Sequence, residues 1–163
     1  MREIIDFILE VDKLKGVTRA TRPLGEAGRD RFENSAEHSW QITLFARALA
    51  PHAGPGVDID RVVRMLLVHD IGEIDTGDTI VYAQTNHAEK SAAERAAVDR
   101  IFGLLPASQR DEFLALWQEF EDAASPESRF AHAADRAMPA LLNLANQGQS
   151  WRDHGISYER VIA

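Results

Sequence analysis

Cysteine is missing from all 163 positions of this chain. No disulfide framework and no thiolate metal site can be built from it. That absence agrees with an expected cytoplasmic location. Also missing is any apolar run near the roughly 20 residues that a membrane span needs. The opening MREIIDFILEVDKLKG carries acids through its apolar part and has no small-residue cleavage site. It is expected to form an amphipathic helix rather than a signal peptide. Positive charge is in deficit: 18 Lys and Arg stand against 26 Asp and Glu, a net charge of −8. A face that clamps a nucleic-acid polymer is usually basic, so neither a polymer nor a membrane is an expected partner. A small phosphorylated substrate stays open, because a metal ion and a few arginines can supply local positive charge. Alternating β-branched runs, hairpin dipeptides, internal repeats and low-complexity tracts are scarce or lacking.

What is present is enough apolar material for one core. The hydrophobic fraction is 45%, and a chain of this length folds as one domain, residues 1–163, without staples. The pattern is all-α. Ile4 to Leu14 reads as a first helix with Ile4, Ile5, Ile8, Leu9 and Val11 on a broad face. Gly16 to Glu33 is arginine-rich and broken by Pro23, Gly25 and Gly28, hence a loop. Asn34 with Glu37 makes a capping box, and a helix runs from Ser35 to about Leu49. Asp58 or Asp60 caps the next helix, whose residues Val62 to Val68 are apolar on nearly all sides and should be central. Ile71 to Asn86 is a loop or short turns. Helices follow at His87–Phe102, Ser108–Ala123 and Pro126 to about Asn146, the last with Pro139 expected to kink it. A final helix starts near Ser157.

The stretch LLVHDIGEIDTGDT, Leu66 to Thr79, sets the chemical problem. It ends an apolar helix with His69 and Asp70, and burying a carboxylate beside an imidazole is costly unless both have partners. A divalent metal would remove that cost, since neutral imidazole and ionised carboxylate are its usual ligands. Adjacent helical residues diverge by about 100°, so the pair can grip one ion only near a helix end. Gly72 is expected to permit the departure. His38 in SAEHSW, on a helix whose Trp40, Ile42, Leu44 and Phe45 should face the core, suggests a third ligand. Asp135 in AHAADRAMPALL suggests a fourth.

His38, then His69-Asp70, then Asp135 resembles the H…HD…D pattern of the HD-domain metal-dependent phosphohydrolases, and most nearly the small-chain subfamily that includes the 5′-deoxynucleotidases. RFENSAEHSW, MLLVHDIGEIDTGDT, AERAAVDRIFGLLP and FAHAADRAMPALLNLANQGQSWRDHGIS carry the resemblance, from about Leu14 to Ser157. It implies an HD-type helical bundle with a central metal site, one divalent ion (Mn, Co, Mg, Fe, Ni or Zn) held by His38, His69, Asp70 and Asp135, and a homodimer. It implies catalytic roles for Glu73, one turn after His69, and for Asp78, near the sugar and leaving oxygen, with Thr79 contributing to substrate binding. A phosphate-binding arginine is implied in the loop before His38, where Arg19, Arg22 and Arg31 are the candidates. The reaction implied is hydrolysis of a (deoxy)nucleoside 5′-monophosphate. The family's Arg-Trp pair is replaced here by Arg22-Pro23, and no tryptophan lies between Met1 and Ser39. A non-nucleotide phosphate ester is therefore the second reading, and a metal-stabilised binding module without catalysis the third.

Other residues have plainer expectations. His132, three residues before Asp135, is assigned to the helix surface, and His52, His87 and His154 are not assigned to the metal. FLALWQEF, with Phe113, Leu116, Trp117 and Phe120 at helical spacing, is expected to be core or dimer interface.

Overall fold

A computed structural model describes residues 1–26, 31–79 and 87–162. Parts of the expected Gly16–Glu33 and Ile71–Asn86 connections, residues 27–30 and 80–86, lie outside the described residues. Helices α1 (Arg2–Val11), α2 (Ser35–Ala48), α3 (Ile59–Val68), α4 (Glu73–Thr76), α5 (His87–Phe102), α6 (Ala107–Asp122), α7 (Pro126–Ala145), α8 (Gln149–Asp153) and α9 (Tyr158–Ile162) follow one another with short 3-10 turns at Asp12–Gly16 and Ala50–His52. There is no strand among the described residues. No helix among them is long and apolar enough to cross a membrane.

Caps fix where the site-bearing helices begin. Asn34 Oδ1 accepts the Glu37 N–H at 3.0 Å and starts α2. Asp58, not Asp60, caps α3, accepting the Arg61 N–H at 3.1 Å. Ser125 caps α7 through the Ser128 N–H at 3.0 Å, with Pro126 in the first turn, where its missing N–H costs nothing. The helix then continues through Pro139 without a break.

α3 is the centre of the bundle, packed against α2, α6 and α7. Ile42, Val62, Met65, Leu66, Val98, Ile101 and Phe102 are wholly buried. Phe7, Phe102 and Phe113 meet as a cluster of tilted and edge-on rings with centroids 5.6 to 6.3 Å apart, a favoured arrangement for aromatic quadrupoles. FLALWQEF is core as expected: Leu116, Trp117 and Phe120 are buried.

Several faces differ from the sequence expectation. α1 ends at Val11 and buries Phe7, with Ile4 and Val11 half-covered, and the 3-10 turn after it buries Leu14, while Ile5, Ile8 and Leu9 are exposed. Trp40 and Leu44 also point outward, at 64% and 52% exposure. They lie four residues apart, so one helix face carries both, and the opposite face gives Ile42 and Ala46 to the core. α3 is not apolar all round. Arg61, Arg64 and Leu67 recur every three residues on an outer face, where Arg61 pairs with Glu119 and Arg64 with Glu112 of α6. The connection before α2 is more ordered than a loop. Thr18 and Asn34 form an antiparallel bridge, and Arg19 N–H donates to Glu33 O while Glu33 N–H donates to Thr21 O, both at 2.9 Å. These bonds hold Arg19 and Glu33 beside the start of α2.

Because Asn34 both closes this bridge and caps α2, Asn34→Ala is expected to cost about 1 kcal/mol. Urea unfolding should show a lower midpoint with an unchanged slope; no shift would mean the cap carries no stability.

Candidate metal centre

The site forms where the start of α2 and the end of α3 meet the middle of α7. α3 ends at Val68, and the chain tightens into turns in which Ile71 N–H reaches Val68 O, Glu73 N–H reaches Asp70 O and Ile74 N–H reaches Ile71 O. That irregular turn brings two adjacent side chains together: His69 Nε2 lies 3.0 Å from Asp70 Oδ1. Gly72 keeps right-handed helical angles. Its role is close packing rather than an unusual backbone, because a Cβ there would stand 3.3 Å from Glu94 O and 3.4 Å from Val98 Cγ1 of α5. Gly77 does need its freedom: at φ +73° it ends α4 and turns the chain to Asp78.

His38 enters from α2 and Asp135 from α7. Ring and carboxylate atoms of His38, His69 and Asp135 lie within 4.8 Å of one another. In this geometry His38 Nε2 is 2.8 Å and His69 Nε2 3.8 Å from Asp135 Oδ1. Asp70 stands just outside that triangle, with its second oxygen 3.0 Å from the Arg19 guanidinium. His69 Nδ1–H donates to Leu66 O at 2.9 Å. Its Nε2 is then left facing two carboxylates, and it is buried without a hydrogen-bond partner among the described residues. His38 Nδ1 is a second such buried atom, 3.7 Å from Glu33 Oε2. A carboxylate placed there orients a ligating imidazole. Two imidazole nitrogens and one carboxylate converging on one point, with the Asp70 carboxylate beside them, fit a divalent cation.

Glu73 is buried and its Oε2 accepts the Ser35 hydroxyl at 2.6 Å. Burial, with the charges of Asp70 and Asp78 adding to it, pushes its carboxyl up to about 8, against the pull of Arg19 and Ser35. Burial acts against charge on Asp135 as well, but the His38 hydrogen bond and the nearby His69 imidazole outweigh it and hold that carboxyl far below the usual range. For His69, burial disfavours the imidazolium, yet the Asp70 and Asp135 carboxylates prevail and raise it well above normal. Arg19, nearly buried, sits among the acids: 3.0 Å from Asp70, 3.5 Å from Asp78, 3.8 Å from Glu33 and 3.9 Å from Glu73.

The other expected residues divide. Asp78 and Thr79 line both cavities at the site. Arg22 and Arg31, candidates from the same connection as Arg19, line neither. Arg22 lies over the Phe32 ring at 4.1 Å and 3.4 Å from Asp153. Arg31 forks onto Glu37 at 2.7 and 2.8 Å on the α2 surface. Both are spent on local partners, which narrows the loop candidates to Arg19. His132 is not free helix surface either. It is half-buried, bonded to Phe120 O at 2.8 Å and stacked on the Phe120 ring, whose edge meets His69. Sequence reasoning passed over Glu33, Ser35, Arg136 and Trp151. Ser35, three residues before His38 on the same helix face, was within reach of a periodicity argument.

A model of the HD domain family matches residues 11–163. This chain belongs to the HD-domain family. The chain is 31% identical over 137 residues to the human protein named 5′-deoxynucleotidase HDDC2, covering 83% of this chain and 64% of that one. It is 32% identical over 97 residues to Escherichia coli 5′-deoxynucleotidase YfbR, covering 55% and 49%. This HD-domain chain thus spans a little under two thirds of the curated relatives it first matches. Among solved structures, one described as a predicted metal-dependent phosphohydrolase from Magnetospirillum magnetotacticum superposes with a TM-score of 0.90 at 44% identity, over 99% of this chain and 79% of that one. The PH0347 protein from Pyrococcus horikoshii gives 0.67 at 25% identity, over 93% and 88%.

Glu73 titrates near 4.5 when unfolded and near 8 when folded. The folded chain holds that proton more tightly, so stability falls as pH rises between those values and the cost is complete above the upper one. In metal-free protein, Glu73→Gln should stabilise the fold by about 1–3 kcal/mol at pH near 9, after discounting for Arg19 and solvent, and change little at pH near 4. Melting curves at both values test this; equal shifts at the two would show that the Glu73 charge is not the source.

Proposed function

We propose that the protein is a phosphohydrolase that uses one divalent ion, held by His38, His69, Asp70 and Asp135, to cleave a small phosphate monoester, with a nucleoside 5′-monophosphate as leading substrate. The observation that carries this reading is the convergence of His38, His69 and Asp135, with Asp70 beside them: His69, Asp70 and Asp135 line a cavity of about 400 Å³ whose wall also holds Glu73, Asp78, Arg19 and Arg136, and His38 lies buried behind it. The names of the relatives support the substrate class.

When bound, a divalent ion supplies Lewis-acid polarisation of the phosphoryl group and its attacking water. The chain's own groups do the rest by position and charge, as phosphoryl transfer requires. Water adds to phosphorus, the P–O bond to the leaving group breaks, and a proton ends on the leaving oxygen. Products are an alcohol and inorganic phosphate. Glu73 suits the proton handling: its carboxyl titrates close to working pH, and the Ser35 hydroxyl fixes its orientation. Asp78 faces the leaving-group side of the wall, held by Arg19 at 3.5 Å. Arg19 balances the acids and offers its remaining N–H groups to phosphoryl oxygens. Arg136, next to the ligand Asp135, lines both cavities and has no ion pair among the described residues, so it is a further cation for the phosphate.

A cytoplasmic homodimer completes the reading. The pairing is supported by exposed apolar faces at Ile5, Ile8 and Leu9 of α1 and at Trp40 and Leu44 of α2, and light scattering would measure it. A non-nucleotide ester is the second reading, favoured by Arg22-Pro23 and by the absence of tryptophan before Ser39.

Phosphate release should be followed with metal-stripped protein, adding Mg, Mn, Co, Ni or Zn singly, on ribo- and deoxyribonucleoside 5′-monophosphates and on sugar phosphates. Release restored by at least one metal is expected, and Asp70→Ala should reduce it to background while helical circular dichroism persists. Unchanged turnover in Asp70→Ala would overturn the mechanism, and silence across the panel with tight metal binding would point to a structural site.

A further inference from the structure

A second cavity, of about 490 Å³, opens from the same wall as the metal-side cavity. The two share Arg19, Asp78, Thr79, Asp135 and Arg136. Away from that wall their chemistry diverges. The metal side is bounded by Glu73, Lys90, Glu94 and Glu121. The second cavity is bounded mainly by Pro139, Ala140, Trp151 and Val161, with Thr21 and Arg160 as polar members of its lining. Its volume lies within the range of sites for small organic molecules, and its lining of apolar walls with a few polar groups is the usual one for such a ligand. Inorganic phosphate would find no use for these walls; a carbon-rich leaving group would.

Trp151 is built into this wall. Its backbone N–H donates to Asn143 Oδ1 at 3.3 Å, and the same buried amide donates through Nδ2 to Pro139 O at 3.0 Å. One side chain therefore ties α8 to the Pro139 turn of α7, and so joins two sides of the cavity. Gly148, at φ +74°, makes the turn between them, and a Cβ there would lie 3.5 Å from Trp151 Cε3, so the ring packs on the Gly148 backbone. The indole is half-buried, fixed on one side and available to the cavity on the other.

We infer that this second cavity receives the leaving group of the substrate and that Trp151 determines its class, its flat ring stacking on a planar heterocycle. The inference rests on the phosphohydrolase reading of the adjoining site. It makes a nucleoside the preferred leaving group over an aliphatic or sugar alcohol, because an indole face is worth far more to a base than to a small polyol. Asp78 and Thr79, on the shared wall, then stand at the junction between phosphate and leaving group.

The test is binding of adenosine and 2′-deoxyadenosine, which carry no phosphate, to the metal-free full chain by calorimetry, beside hydrolysis kinetics with metal added. Wild type should bind a nucleoside, and Trp151→Ala should weaken it roughly tenfold, the size of one lost base–aromatic stack. Trp151→Phe should keep most of the affinity. Trp151→Leu, which keeps apolar bulk and guards against a variant that fails to fold, should lose it. In turnover, Trp151→Ala should raise KM for nucleotides with kcat little changed, and leave ribose 5-phosphate unaffected. No nucleoside binding by wild type, or binding by the Ala and Leu variants as tight as that of wild type, overturns the assignment even if nucleotides are hydrolysed. Binding that depends on Trp151 supports it even if no ester is hydrolysed, in which case the phosphohydrolase reading alone falls.

Discussion

Five carboxylates, Glu33 among them, two imidazoles and one guanidinium share the space between α2, α3, α4 and α7, and the fold must keep them there out of water. Coulomb repulsion among Asp70, Asp78, Asp135 and Glu73 would open the bundle if all were ionised without compensation. The chain meets that problem in three ways. Arg19 is threaded among the acids by a short backbone ladder to Glu33. Glu73 keeps its proton to about pH 8. His38 and His69 surround Asp135. What remains is a shortage of positive charge at the point where His69 Nε2 meets two carboxylates, and a dication supplies it. Much of the irregular structure serves this arrangement: the bridged connection before α2, the tightened turn after Val68 and the glycine turn at Gly77.

The same constraint explains what could be read in advance. Helices were legible because apolar spacing and capping residues are local; Asn34, Asp58 and Pro126 all mark starts that the structure keeps. His38, His69 and Asp135 were legible as candidates because ionisable residues on apolar helices demand partners, and the structure brings the three together. Helix faces were less legible. Trp40 and Leu44 sit among apolar neighbours, and only the packing of α2 on α3 and α7 decides that Ile42 and Ala46, four residues apart, take the core. Hydrophobicity alone does not choose between two apolar stripes on one helix. The rule for Gly72 was wrong for a related reason: its need is set by α5, more than 20 positions further along the chain.

The loop arginines show the limit most clearly. By residue type Arg19, Arg22 and Arg31 are alike, each a cation in a polar segment, and only the resemblance puts Arg19, after LKGVT, at the family's expected place. In the structure they differ through partners: a buried acid cluster for Arg19, Phe32 and Asp153 for Arg22, Glu37 for Arg31. Arg136 had no such ambiguity, being adjacent to Asp135, yet nothing in its local pattern distinguishes it from a solvated helix residue. Trp151 was beyond reach for a stronger reason. Its wall exists only after α7 and α8 fold back on each other through Asn143.

Placing the acids on one side of a shared wall and the apolar surface on the other has a consequence for catalysis. Binding energy gained at a leaving group remote from phosphorus lowers the concentration of ester needed to fill the site, while the charged groups near phosphorus carry the rate. A leaving group that misses the indole loses that contribution without any change at the metal ligands. On the proposed reading, selectivity and chemistry are carried by different parts of the chain, the first by α7 and α8, the second by α2, α3 and the turn to Asp78. Only the five residues of the common wall belong to both. Substitutions on the apolar side should therefore change which ester is cleaved, whereas substitutions among the acids should change whether any is.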